Sequence, residues 1–173
     1  MNVEFTQLIT PTVEIAQAFD KWDNDPALVP LIRPCQNQTD LEVHIPVCVD
    51  TLTQRLEHCF TYLIYVDEKL VGAMTYQADF DHLYKKEAGT AWIGIVIGEG
   101  FTRNKGLGTK ALAFLERQIK LQGLKRIELG VFAFNKTAIK LYKNCDYQEI
   151  GRIKDFTFWQ DKMWTDIRFE KYL

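Results

Sequence analysis

The sequence predicts an α+β fold built on a mixed, mostly antiparallel central sheet flanked by helices, and three observations carry that prediction. Two pairs of strand-like runs, at 59–76 and 147–172, are each joined by a short polar connection, the pattern of an antiparallel hairpin. Between them lies the order strand, glycine-rich loop, helix, strand, helix. No internal repeat, low-complexity tract or Pro/Gly/Ser linker divides the chain, so a single domain over residues 1–173 is expected.

Taken in order, Val3 to Ile9 reads as a first strand. Thr12 to Trp22 places Val13, Ile15, Ala16 and Phe19 at roughly helical spacing after Pro11. Residues 23 to 48, with Pro26, Pro30, Pro34 and Pro46, read as an irregular connection of the kind that shapes binding sites. Cys59 to Val66 and Leu70 to Tyr76 are strands about Asp67-Glu68-Lys69. Thr90 to Ile97 is apolar on both faces, which implies a central strand covered on both sides. Gly94 inside it signals a bulge or a close approach to the backbone.

From Gly106 to Gln122, Leu107, Ala111, Leu112, Leu115 and Ile119 repeat at helical spacing, and Gly123 ends the helix. Arg126 to Phe132 alternates as a strand. Asn135 then opens a short helix in which Ala138, Leu141, Tyr142 and Cys145 share a face. Tyr147 to Phe158 and Met163 to Tyr172 flank Trp159-Gln160-Asp161-Lys162 as the closing hairpin.

Composition narrows the function. With 173 residues, 47% of them hydrophobic and 25% charged, the chain can bury one sizeable core. A net charge of −2 argues against a protein that coats nucleic acid and mildly favours a cationic substrate. Cys35, Cys48, Cys59 and Cys145 are scattered, with no metal-ligand spacing and no disulfide framework, so no metal is expected and reduced thiols in the cytoplasm fit best. Met1 to Phe5 lacks the features of a signal peptide, and the longest apolar run, Ala91 to Gly98, is too short to span a bilayer, so no membrane partner is expected.

The segment from Gly98 to Gly108 aims backbone N–H groups and a helix N-terminus at one point, which should attract an anion. Gly106 and Gly108 would let the main chain curl around a phosphate, with Arg103 and Lys105 adding charge at the rim. A Walker loop, G-x-x-x-x-G-K-S/T, is excluded: five residues after Gly98 stands Arg103, and five after Gly100 stands Lys105. Gly106-x-Gly108-x-x-Ala111 matches a dinucleotide fingerprint with Glu128 as the ribose acid. Eight residues separate Ile97 from Gly106, however, where that fingerprint puts its first glycine directly after the strand.

Arg103-x-x-Gly106-x-Gly108, between a central strand and a long helix, resembles the R/Q-x-x-G-x-G/A signature of the GNAT superfamily of N-acetyltransferases. Asn135-Lys136-Thr137-Ala138-Ile139-Lys140-Leu141-Tyr142-Lys143 resembles its second motif, N-x-x-A-x-x-x-Y. Together, in this order, the two are specific. Ala91-Trp92-Ile93-Gly94 and the closing hairpin with Asp166 resemble the branch that acetylates ribosomal-protein N-termini, polyamines and aminoglycosides. Two departures stand out: Asp146-Tyr147 replaces a Gly-Phe, and Trp92 replaces a frequent glutamate in the central strand.

The resemblance implies splayed central strands forming a CoA cleft, with acetyl-CoA as co-substrate. The pyrophosphate would sit on the N–H groups of Arg103, Asn104, Lys105, Gly106, Leu107, Gly108 and Thr109, and the pantetheine arm along Ile95, Val96 and Ile97. Asn135 and Ala138 would add contacts, and Tyr142 would protonate the departing thiolate. A loose match of Trp22-Asp23-Asn24-Asp25-Pro26 to an acceptor site, with Asp79 and Trp92, supplies substrate candidates.

Each role has a structural alternative: glycines that only cap a helix, Tyr142 as core, Asn135 as a cap, and Asp23 and Asp25 as a solvated turn. No general base is singled out. Glu99 beside the loop is expected to be solvated, Asp79, Asp81 and His82 lie before the central strand, a water relay would also serve, and His44, His58 and His82 read as surface histidines. The expected activity is acetyl transfer to a small-molecule amine or a peptide N-terminus, by a monomer or homodimer. The alternative is a non-catalytic acyl-CoA-binding module, which Trp92 keeps open.

Overall fold

The computed structural model describes all 173 residues. The elements are β1 (Val3–Gln7), α1 (Val13–Asp23), α2 (Val29–Ile32), α3 (Gln38–Glu42), α4 (Val49–Leu56), β2 (Phe60–Val66), β3 (Lys69–Ala78), β4 (Thr90–Ile97), α5 (Leu107–Leu121), β5 (Arg126–Phe132), α6 (Lys136–Asn144), β6 (Gln148–Trp159) and β7 (Lys162–Tyr172). The strands form one open seven-stranded sheet in the order β1-β2-β3-β4-β5-β7-β6. Every neighbouring pair is antiparallel except β4 and β5, whose crossover carries α5.

Both hairpins turn on two residues with positive φ, Asp67 (47°) with Glu68 (65°) and Gln160 (50°) with Asp161 (58°). This left-handed geometry matches the right-handed twist of the flanking strands. Asp146 has φ 66°, so the aspartate that stands for a glycine adopts the left-handed turn that its short polar side chain tolerates.

Each face of the sheet has its own helical cover. On one face α5 buries Leu107, Ala111, Leu112, Leu115 and Ile119 against Ala91, Ile93, Ile127 and Leu129, and α6 adds Tyr142. On the other, α1 and α4 bring Ala16, Phe19, Trp22 and Leu52 onto Leu63 and Ala73. Thr12 caps α1 by accepting from the Ile15 N–H, and Gly123, at φ 79°, ends α5.

The stretch from 23 to 48 is less irregular than its prolines suggest. Pro30 sits in the first turn of α2, where a missing N–H costs nothing, and Asn37 caps α3 through the Asp40 N–H. The sequence reading left 49–58 unassigned, and α4 lies there. Its start is marked by Cys48 and Thr51, whose hydroxyl accepts from the Cys48 N–H, rather than by a common cap.

The half of the sheet beyond Trp92, on the α1 face, is covered by the 79–89 loop, and a buried ionic layer holds it down. Glu128, with no exposed surface, accepts from the N–H groups of Tyr84 and Lys85 and from Arg126 Nη2 at 2.7 Å. Arg168 donates to Asp166 Oδ2 at 2.6 Å and to the His82 carbonyl at 3.0 Å, with its guanidinium 3.6 Å from Glu128. Removing one partner of such a layer strands the others in low dielectric. Glu128→Gln is therefore expected to lower unfolding free energy by about 3 kcal/mol in urea titration. Lys85→Ala, whose half-exposed ammonium pairs with Glu170, should cost less than about 1 kcal/mol.

Candidate active site

The parallel pairing of β4 and β5 stops early. Thr90, Ala91 and Trp92 pair with Arg126, Ile127 and Glu128, and beyond them the strands separate, while β3 stays in register with β4 through Ile97. From Ile93 onward the β5-facing edge of β4 has no strand partner. Gly94 makes no bulge, since the β3–β4 ladder is continuous through it. A Cβ there would lie 3.2 Å from Thr75 Oγ1, at the floor of a cleft of about 390 Å³ that Gly94 and Val96 help to line.

At the end of β4 the chain is clamped before it turns. Gly98 lies against the Trp22 indole so closely that a Cβ would sit 2.2 Å from Nε1. Glu99 accepts from Trp22 Nε1 at 3.0 Å and Lys21 Nζ at 2.7 Å. It is therefore not the solvated acid expected, and Lys21, with Trp22, holds its carboxyl below the usual carboxylate range. A 3₁₀ turn, Gly100–Thr102, follows, and Arg103 folds back. Its Nε donates to the Ile97 carbonyl at 3.0 Å and its Nη2 to the Gly98 carbonyl at 2.9 Å. Its guanidinium is thus a strand clasp, not a rim charge, and its N–H is spent on Gly100.

The next six N–H groups, Asn104 through Thr109, have no acceptor within the chain, the first bond of α5 being Lys110 N–H to Gly106 at 3.3 Å. Asn104 (φ 60°) and Gly106 (φ 74°) curl the backbone so that these donors precede a 15-residue helix. Unpaired donors at a helix N-terminus present a partial positive charge that favours an anion. Gly108 has a different task from the one expected: a Cβ would stand 3.0 Å from Leu141, so the glycine lets α6 pack against α5.

On α6, Asn135 Oδ1 accepts from the Ala138 N–H at 3.1 Å, which commits both groups to the cap and leaves the Asn135 amide nitrogen free. Tyr142 packs against Tyr147 and Phe169. Burial pushes its phenol up to about 12.

Across the sheet, the substrate candidates are mostly occupied. Trp22 is 2% exposed and fixed by Glu99. Asp79, at φ 48°, accepts from the Thr90 N–H at 3.0 Å and turns the chain out of β3. Asp23 pairs with Arg55 and Asp25 accepts from Ala27 N–H, so no free acid pair stands there. Trp92 stacks on Phe80 and lies under the Arg168 guanidinium, 4.8 Å from its ring. Glu128, the ribose acid of the dinucleotide reading, is sealed in the ionic layer. His44, His58 and His82 are at the surface, and no group of His, Cys, Asp and Glu is arranged to hold a metal ion. No helix is long and apolar enough to cross a membrane.

The structure thus gathers the Asn104–Thr109 donors, the free edge of Ile95 to Ile97 and Tyr142 along the α5–α6 side of the split. Trp92 stands on the other side, and Asp79 lies apart. The sequence reading assigned no role to Asp166, although a period-two run of Trp164, Asp166, Arg168 and Glu170 down one face of β7 signals a polar stripe inside the sheet.

The model of the acetyltransferase (GNAT) family matches residues 21–147. The N-acetyltransferase YycN of Bacillus subtilis, itself uncharacterized, is 43% identical over 47 residues, 27% of this chain, and the match spans 30% of that protein's length. The probable spermine N(1)-acetyltransferase of Bacillus subtilis subsp. natto is 28% identical over 135 residues, 76% of this chain and 86% of that one. Among solved structures, the ribosomal-protein-alanine N-acetyltransferase of Brucella melitensis superposes with a TM-score of 0.75 over 100% of both chains at 17% identity.

The contact of Gly98 with Trp22 generates a direct check. Gly98→Ala must push the indole off the start of the loop, and should lower stability by about 2 kcal/mol, read by urea denaturation and by altered Trp fluorescence.

Proposed function

The chain belongs to the acetyltransferase (GNAT) family, and on that premise we propose that residues 1–173 act as one cytoplasmic domain that moves an acetyl group from acetyl-CoA to a primary amine. The observation that carries the reading is the succession of two features along the chain: the unpaired edge of Ile95, Val96 and Ile97 and, after six intervening residues, the free donors of Asn104 to Thr109. A pyrophosphate fits the donors, and the amides of a pantetheine arm fit the edge. A small cationic amine or a peptide N-terminus is the acceptor class, in keeping with the substrates named for the similar spermine and ribosomal-protein-alanine acetyltransferases.

Acetyl-CoA supplies an acetyl carbon already activated as a thioester. The protein must deliver a neutral amine to it, polarise its carbonyl and quench the departing sulfur. Tyr142 suits the last task. A phenol raised to about 12 stays protonated throughout the working pH range, so its hydroxyl always donates toward sulfur. The proton that nitrogen sheds completes the transfer. Asn135 would steady the cofactor through its free amide nitrogen.

A second reading, a non-catalytic acyl-CoA-binding module, is favoured by one feature: the β4 position where the family often has glutamate holds Trp92. Thiol release separates the two, because a module binds acetyl-CoA without producing free CoA in the presence of amines. Acetyl-CoA is expected to raise Tm by several degrees and NAD to leave it unchanged, measured by thermal denaturation. Tyr142→Phe should lower kcat about 100-fold while the Kd for acetyl-CoA stays within about twofold, and unchanged turnover would take Tyr142 out of the mechanism.

A further inference from the structure

Among the carboxylates of the sheet face that carries Trp92 and Gly94, one buried oxygen stands alone. Glu128 is saturated by two backbone N–H groups and Arg126, and Glu170 by Lys85 and Arg126. Glu99 is held by Trp22 and Lys21. Asp166 is 2% exposed, its Oδ2 accepts from Arg168 Nε, and its buried Oδ1 has no partner. An unpaired buried acceptor costs stability and calls for a reason.

Its position supplies one. Both carboxylate oxygens lie over Gly130, 2.9 and 2.8 Å from where a Cβ would be, and Trp92 Cη2 lies 3.1 Å from that same point. Trp92 and Glu128 form the last β4–β5 pair, so Gly94 and Gly130, two residues further along each strand, face one another where the split begins. Asp166 therefore hangs beside the opening on the cleft side of the sheet, while Tyr142 lies on the other side.

We propose that Asp166 is the proton acceptor for the attacking amine, an inference that rests on the acetyl transfer proposed above. An ammonium entering over Gly94 gives one proton to Asp166 Oδ1. The freed lone pair forms a C–N bond to the thioester carbonyl carbon and the C–S bond breaks. The second proton shed by nitrogen reaches the departing thiolate through the Tyr142 hydroxyl, and the carboxylic acid then returns its proton to water. The environment suits the task. Burial pushes the Asp166 carboxyl up from its ordinary value and Arg168 opposes it. Around it, Arg168 from β7 is the one charge in contact, and Glu128 from β5 sits behind it. The loop offers the His82 carbonyl to Arg168, and β4 and β6 present Trp92 and Ile153, which do not titrate.

The test follows thiol release with ethylamine and with spermine as acceptors across pH, for the wild type and Asp166→Asn, with the Kd for acetyl-CoA measured in parallel. Asp166→Asn should lose about 100-fold in kcat/KM near neutral pH and keep its acetyl-CoA affinity. It should also converge on the wild type toward about pH 10, where amines arrive already neutral. A deficit constant over pH would mark Asp166 as structural and overturn the proposal, as would a variant that matches the wild type. Gly130→Ala, which displaces the carboxylate without removing it, should give the same converging profile and covers the case in which Asp166→Asn does not fold. In the free protein, the carboxyl carbon-13 resonance lost in the variant should titrate above the ordinary aspartate range, and a signal that stays constant between about pH 4 and pH 9 would overturn the proposal. No thiol release from the wild type with either amine would instead overturn acetyl transfer itself, and this inference with it.

Discussion

The early end of the β4–β5 ladder is the constraint on which the molecule is organised. Parallel strands joined by a helical crossover ordinarily stay paired along their length, and here three registered pairs suffice. The closed end is stapled. Arg126 Nη1 donates to Thr90 Oγ1 at 3.0 Å and Lys125 N–H to the Gly89 carbonyl at 3.0 Å. The open end is wedged apart by what each strand must serve. β4 runs on with β3 into the clamp made by Trp22, Glu99 and Arg103, whereas β5 turns with β7 toward α6. Unpaired backbone at the centre of a sheet is costly, and that cost is tolerated where a ligand can supply the missing partners.

The two faces of the sheet solve the covering problem differently, and the difference shapes the site. On the α5–α6 face, apolar burial of Leu112, Leu115, Ile119, Ile127 and Phe169 does the work. On the other face the helices reach only as far as Ala73 and Val96. Past Trp92 the cover is a loop, and a loop brings backbone donors that need acceptors. Glu128 accepts from the Tyr84 and Lys85 N–H groups and Arg168 donates to the His82 carbonyl, so the ionic layer is the consequence of covering a sheet with irregular chain.

Periodicity made most of this architecture legible. Thr90–Ile97 and Arg126–Phe132 are strands with the bounds that their apolar runs imply, and α5 follows its repeat of Leu107, Ala111, Leu115 and Ile119 to Gly123. The turn at Gly106 and the helix behind it were legible too, since both are local features. Long-range pairing was not. That Arg103 turns back on Ile97, that Glu99 is seized by α1, and that Gly108 makes room for Leu141 all depend on contacts between distant segments. The helix at 49–56 was missed because it is short and its cap is a cysteine with a threonine.

Proton traffic follows from the same geometry. The proposed proton donor and proton acceptor have different surroundings. Here the sheet separates them: Tyr142 lies in the α6 core and Asp166 on the opposite face. Arg168 tunes this division. It sits against Asp166, the His82 carbonyl and the Trp92 ring at once, so the group that keeps the carboxylate from being neutralised by burial also anchors the loop and the aromatic wall beside it. The loop's position and the charge state of Asp166 are therefore coupled through one guanidinium.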